Sequence, residues 1–276
     1  MTSIDLKAWG KQMSSNQDKI FAKYDRTDEN IRAVSSRSSS LEFHYTKKAM
    51  DGFIGVESRV LEVGCGTGYY GMYFADKCGE YVGIDLFPKH IEVFQRKINE
   101  NGIKNVSCQV GDAVKLGGIA DDSFDVVCCF GPMYHLPPDE RELVFAECRR
   151  VCKPGGVIAF AYINKVGTYV GACVHDQART NYPTKEVNEI VLRQGNDDSQ
   201  PGVFFFTMPE EMIEVAARYG LSKIRSIGID SFITMSVVDQ MDDTKFEAYM
   251  ELADEMAKYE SCAGMSNHAL LICRKQ

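Results

Sequence analysis

The spacing of apolar residues changes character near residue 59. From there to about residue 163, short apolar runs alternate with stretches whose apolar positions recur every three to four residues, the pattern of a parallel sheet with crossover helices. The predicted strands are RVLEV (59–63), YVGID (81–85), VSCQVGD (106–112), FDVVCCF (124–130) and GVIAFAYI (156–163). The clearest helix is predicted over 138–152. Pro138 suits its first turn, Asp139 and Glu140 suit its dipole, and Val144, Cys148, Val151 and Cys152 share a face, before KPGG (153–156) ends it. A second helix is predicted in MPEEMIEVAARYG (208–220), burying Ile213, Ala216 and Ala217 and stopping at Gly220. Strands KIRSIGID (223–230) and HALLICR (268–274) follow.

Three segments break the alternation: 1–57, 164–207 and 230–265. The second joins a turn-rich NDDSQPG (196–202) to the apolar VFFFTM (203–208). The third places Phe246, Tyr249, Met250, Ala253 and Ala257 at helical spacing, which predicts an amphipathic helix. SSRSSS (35–40) reads as a loop or helix cap.

Composition narrows the class. At 276 residues, 45% apolar and 25% charged, the chain fits one globular domain with insertions. It shows neither a signal-peptide core at its start nor an apolar run of about 20 residues, so a cytoplasmic, non-membrane protein is expected. Ten cysteines without a C-x-x-C pair, several of them in apolar runs (Cys108, Cys128, Cys129, Cys273), read as small buried hydrophobes rather than a disulfide framework. A net charge of −8 opposes a nucleic-acid partner.

The chemistry is concentrated in LEVGCGTGYYG (61–71). Gly64, Gly66 and Gly68 follow the first strand, where a backbone without Cβ atoms turns sharply and brings N–H groups against a ligand. By count, GTGYYG (66–71) also satisfies the dinucleotide pattern G-x-G-x-x-G. Asp85 ends the second strand 21 positions after Gly64, where a carboxylate accepts ribose hydroxyls, and Asp112 ends the third, suited to an exocyclic amine.

In this order and spacing, VLEVGCGTG, GID, GDA, FDVVCCFGPMYHLPP and CKPGG resemble the class I S-adenosylmethionine-dependent methyltransferases of the small-molecule type. The resemblance is close over 58–163 and looser over 208–276. It implies an α/β, Rossmann-like fold: a seven-stranded, mostly parallel sheet with helices on both faces and an antiparallel last strand. It divides a single domain, 1–276, into an N-terminal helical lid (1–57), a cofactor-binding core (58–163), a lid insertion (164–207) and a C-terminal part of the core (208–276) carrying a helical insertion (230–265). The implied cofactor is S-adenosyl-L-methionine. Gly64, Gly66 and Gly68 match the glycines at its methionyl end and Glu62 the acid before them. Asp85 matches the ribose carboxylate with Leu86 beside the adenine, Asp112 and Ala113 match the adenine edge, and Phe130 matches the position facing the methionine amino group.

Methyl transfer needs an aligned nucleophile and, for a hydroxyl or protonated amine, a base. His135 in GPMYHL (131–136) is the expected base, and Tyr134 the residue shaping the methyl pocket. Tyr24, Phe43, Tyr162 and His175 are the expected acceptor contacts; His44, Tyr45, Tyr169 and Asp176 are further lid candidates. His90, on a surface helix, and His268, at the start of a strand, read as structural. No metal is expected. The reading is therefore in-line transfer to a hydroxyl or nitrogen of a small molecule. The alternatives are an RNA or protein methyltransferase, a nicotinamide-dependent oxidoreductase, or a cofactor-binding protein without catalysis.

Overall fold

The computed structural model describes residues 17–26, 29–175, 182–198, 202–230 and 232–276. Its centre is one sheet. Strands β1 (Arg59–Val63), β2 (Glu80–Asp85), β3 (Val106–Val110), β4 (Phe124–Cys129) and β5 (Cys152–Asn164) run parallel, and β7 (Leu221–Gly228) and β8 (His268–Lys275) complete the order β3-β2-β1-β4-β5-β8-β7. The antiparallel last strand, β8, lies between β5 and β7. An eighth, two-residue strand, β6 (Phe206–Thr207), adds to the end of β5 at Ile163 and Asn164, beyond where β4 stops. Strand order reverses between β2-β1 and β1-β4, and the carboxyl ends at that point form the usual ligand crevice of such sheets.

The central parallel strands β1, β4 and the second half of β5 are buried on both faces, which is why they read as unbroken apolar runs; in β1 even Glu62 is only 1% exposed. One face is covered by α2 (Arg37–Met50), α3 (Tyr69–Phe74), α4 (Pro88–Glu100) and α10 (Asp243–Met256), which bring Met50, Phe74, Phe94 and Ala253 into a common core. The other is covered by α5 (Pro138–Val151) and α8 (Pro209–Arg218), through Val144, Phe145, Met212 and Ala216. A helix over 17–24, α1, precedes these. Between β5 and β6 lie α6 (Lys165–His175) and α7 (Lys185–Val187), the latter continuing as a wide turn to Arg193; α9 (Met235–Asp239) precedes α10.

Local chemistry explains the ends. Ser36 caps α2 by accepting the Ser39 N–H at 3.1 Å. In α8, Glu211 reaches back to the Met208 N–H at 3.1 Å, and the chain leaves through Gly220 in the left-handed region (φ +67°). Three expectations need correction. Cys152 adopts extended backbone and opens β5 instead of ending α5. In α8 the buried positions are Pro209, Met212 and Ala216, Ile213 is half-buried and Ala217 faces solvent, so the buried stripe runs through Met212 and not through Ile213 and Ala217. Cys108 is only half-buried, since β3 is an edge strand.

Among the described residues, no helix is long and apolar enough to cross a membrane and no His, Cys, Asp and Glu side chains are grouped to hold a metal. The ten cysteines are unpaired.

Candidate cofactor and acceptor pocket

The turn after β1 is folded onto β2: the N–H groups of Gly64 and Cys65 both donate to the Ile84 carbonyl, at 2.7 and 3.0 Å. All three glycines have positive φ, from +52° to +82°, a conformation costly to residues with a Cβ. Their surroundings differ. A Cβ on Gly64 would stand 2.6 Å from Pro132 and one on Gly68 would stand 2.0 Å from Phe94, whereas one on Gly66 would meet nothing within 4 Å. Gly66 is thus the open cradle. Gly68, expected against the cofactor, lets α3 pack against Phe94 of α4 and does not line the pocket.

Asp85 closes this turn from β2. Its Oδ2 accepts the Gly66 N–H at 2.8 Å, and its Oδ1 accepts the Phe87 N–H at 2.9 Å and lies 3.2 Å from Nδ1 of His90. His90 is therefore no surface residue: the first turn of α4 folds over the crevice and leaves it 7% exposed, lining the cavity. Leu86, Asp112 and Ala113 line the same side, with Asp112 oriented by the Val114 N–H at 3.1 Å. At the floor, Glu62 accepts the Tyr81 hydroxyl at 2.7 Å. Burial raises its carboxyl pKa to about 8, partly offset by that hydrogen bond and reinforced by the charge of Asp85.

Beyond Gly66 the cavity, about 1050 Å³ including its mouth, continues under aromatic side chains. Phe43 of α2 stacks on Tyr70 (5.3 Å between ring centroids), Tyr70 meets Phe130 edge-on (5.0 Å), and the Tyr134 hydroxyl donates to the Phe130 carbonyl at 3.2 Å. The same wall carries a partly buried ion pair, Arg32 with the buried Glu42, joined at 3.0 and 3.4 Å; Glu29 lies 3.0 Å from the Arg32 Nε.

The roof is α1. Tyr24 hydrogen-bonds Nε2 of His135 at 2.7 Å, and Nδ1 of His135 lies 3.0 Å from the Val203 carbonyl. A carbonyl only accepts, so the network places the proton on Nδ1 and has Nε2 accept from the Tyr24 hydroxyl. Burial lowers the His135 pKa to about 4, so at neutral pH the ring is uncharged. His135 thereby clasps the N-terminal helix and the segment before β6 to the loop after β4. Replacing Tyr24 with Phe removes one hydrogen bond worth about 1 kcal/mol. Amide exchange over 17–24 should then quicken about fivefold; an unchanged rate would contradict the clasp.

The structure therefore gathers Glu62, Gly64, Gly66, Asp85, Leu86, Asp112, Ala113, Phe130, Tyr134, His135, Tyr24 and Phe43 around one cavity. Tyr162 is not among them. It is fully buried on the opposite face of β5, in the core beneath α8 with Phe160 and Met212. Tyr45 and Tyr169 also point elsewhere, to Asp254 and Asn188, and His44 is exposed. The His175 side chain and Asp176 lie outside the described residues. Sequence reasoning missed Arg32, Glu42 and the placement of His90; only the charged residues flanking the serine cap of α2 hinted at the first two.

Comparison with known proteins agrees with this geometry. Residues 60–156 match the model of a family described as "Methyltransferase domain". The chain is 36% identical over 140 residues to Methyltransferase GfsG of Streptomyces halstedii, covering 45% of this chain and 49% of that one. It is 32% identical over 117 residues to a ubiquinone biosynthesis O-methyltransferase of Azoarcus sp., covering 42% and 49%. The chain thus spans about half the length of the curated relatives it matches. In fold it is similar to the PH0226 protein of Pyrococcus horikoshii, with a TM-score of 0.59 and 17% identity over 92% of this chain and 99% of that one. A cradle open at Gly66, a carboxyl group at the end of each of β2 and after β3, and an enclosed aromatic extension fit the nucleoside, ribose and methionyl parts of S-adenosylmethionine. Residues 60–156 of the chain are thus matched by a methyltransferase domain, for which S-adenosylmethionine is the implied cofactor.

Proposed function

We propose that this protein methylates a hydroxyl or nitrogen of a small molecule. The observation that carries the reading is the continuity of the Gly66–Asp85–Asp112 cradle with a roofed aromatic extension, which leaves room for a small acceptor and little for a macromolecular one. The printed name of the Azoarcus relative, an O-methyltransferase, supports the same class. Asp85 holds the ribose, Asp112 and Ala113 the adenine edge, Leu86 flanks the base, and Glu62 and Phe130 face the methionyl end. When bound, the cofactor supplies an electrophilic methyl group, so the protein's task is alignment and exclusion of water. Tyr134, Phe43 and Tyr24 shape the acceptor end. His135 holds Tyr24 over it and takes a proton only by way of that phenol, against the burial that keeps its ring neutral. The parts of 1–57 and 164–207 that meet at His135 act as the lid. Ten unpaired thiols accord with a reducing, cytoplasmic setting.

The test is incubation with methyl-labelled S-adenosylmethionine and a pooled low-molecular-mass extract of the source cells, followed by separation by size. Label in a small product is expected. Label found only in RNA or protein, or none transferred while the cofactor binds, would overturn the assignment.

A further inference from the structure

We propose that the acceptor is an amine, taken up as its free base and released as an ammonium cation held between Glu29 and the aromatic wall of the pocket. The proposal rests on the methyl-transfer reading and narrows its acceptor from hydroxyl or nitrogen to nitrogen. The charge of the cavity favours it. Five carboxyl groups line the space, Glu29, Glu42, Glu62, Asp85 and Asp112, against one guanidinium, Arg32. Glu62, Asp85 and Asp112 stand at the cradle, and Glu29, Arg32 and Glu42 border the aromatic extension. A carboxylate or phosphate entering that extension would be repelled, whereas an amine that turns into a cation is attracted, the more strongly for being out of water.

The two carboxylates of the extension are not equivalent. Both oxygens of Glu42 are taken by Arg32, whose Nη1 and Nη2 donate to them at 3.0 and 3.4 Å. Glu29 lies 3.0 Å from Nε of Arg32, yet Nε makes no hydrogen bond, and Glu29 accepts none from any described residue. With its side chain 16% exposed and bordering the cavity, Glu29 keeps its lone pairs for a ligand, and an ammonium group is the partner that suits them.

The wall opposite suits a cation too. The faces of aromatic rings attract positive charge, and two rings here already carry the protein's own. The Arg32 guanidinium carbon lies 5.0 Å from the Phe43 centroid, and Nζ of Lys47 lies 5.1 Å from that of Tyr69. Among the described residues Tyr70, Phe130 and Tyr134 carry none, and all three line the cavity. Tyr70 packs against Phe43 and Phe130 at 5.3 and 5.0 Å between centroids, so the aromatic surface is continuous from α2 to the residue after β4.

In the step itself the nitrogen lone pair forms the new bond to carbon, the carbon–sulfur bonding pair stays on sulfur, and the positive charge passes from sulfonium to ammonium beside the same rings. No proton leaves, so no base is required. A hydroxyl would have to surrender its proton in the step, and the groups at hand are poor recipients. Burial lowers the His135 pKa to about 4, its Nε2 already accepts from Tyr24, and Glu42 is committed to Arg32.

The test uses the protein saturated with S-adenosylhomocysteine and two probes of equal shape, choline and its uncharged carbon isostere dimethylbutanol, each titrated by calorimetry. Choline should bind at least about tenfold more tightly, and Glu29→Gln, with thermal unfolding as the check on its fold, should cut that ratio about fivefold or more. Equal affinity for the two probes, binding of neither, or a ratio that survives in folded Glu29→Gln would overturn the proposal. A second readout needs no variant: in the labelled-transfer assay with the pooled extract, NMR of the transferred methyl group separates methyl on nitrogen from methyl on oxygen, carbon or sulfur. Methyl on nitrogen is expected, and methyl on any of the others would overturn the proposal while leaving the methyl-transfer reading intact. Failure of S-adenosylhomocysteine to bind would overturn that reading instead.

Discussion

Asp85→Ala is expected to abolish measurable S-adenosylmethionine binding. A carboxylate that accepts two ribose hydroxyls contributes about 1.5–3 kcal/mol for each charge-assisted bond, so the loss is about 3–6 kcal/mol, at least 100-fold in affinity. The side chain also accepts the N–H groups of Gly66 and Phe87, which would have to turn to water in the variant. Asp85→Asn separates the two effects, because it keeps one acceptor oxygen for the turn while losing the charge. Calorimetric titration gives the affinity and thermal unfolding reports the fold. Unchanged affinity in Asp85→Ala would refute the ribose assignment; lost affinity with a collapsed melting curve in both variants would place Asp85 in the turn alone.

The second large effect concerns pH. Glu62 is 1% exposed and its pKa is raised to about 8, chiefly by burial. At pH 7 it is mostly protonated. A cationic methionyl group placed against it favours the ionised form, so binding should release a proton and affinity should climb as pH rises toward 8, by up to about tenfold per unit, then level off. The ligand's own amino group, which titrates near pH 8, acts in the opposite sense at higher pH. Glu62→Gln isolates the protein's contribution. Calorimetry at pH 7 in two buffers of different ionisation heat should detect proton release from the wild type and none from the variant. Equal heats of binding for the wild type in both buffers would contradict a neutral resting Glu62.

What was legible in the sequence follows from which interactions are local. Strands buried on both faces announce themselves as apolar runs, and glycine turns and terminal carboxylates sit at fixed distances from them, so β1 to β5, Gly66, Asp85 and Asp112 could be placed without coordinates. The same double burial hid the orientation of Tyr162. With Ala161 and Ile163 also buried, β5 offers no alternation to say which face a side chain takes, and Tyr162 went to the core under α8. Gly68 was misread because its neighbour, Phe94, comes from a helix 26 residues later in the chain. His90 looked like a surface residue because helical periodicity locates a polar face but not what folds over it. The Arg32–Glu42 pair had no sequence signal: it depends on a turn folding back onto α2. Tyr24 was anticipated as a lid residue, but its partner His135 is 111 positions away and emerged only from the fold.

The measurement that bears most directly on the account is a crystal structure with S-adenosylhomocysteine bound. The account predicts the ribose hydroxyls on the Asp85 carboxylate, the adenine amine at Asp112, the chain of the amino acid running over Gly66 toward Glu62, and its sulfur facing Tyr134. A nucleoside found outside this cavity, or inside it with Asp85 and Asp112 making no contact to sugar or base, would contradict it.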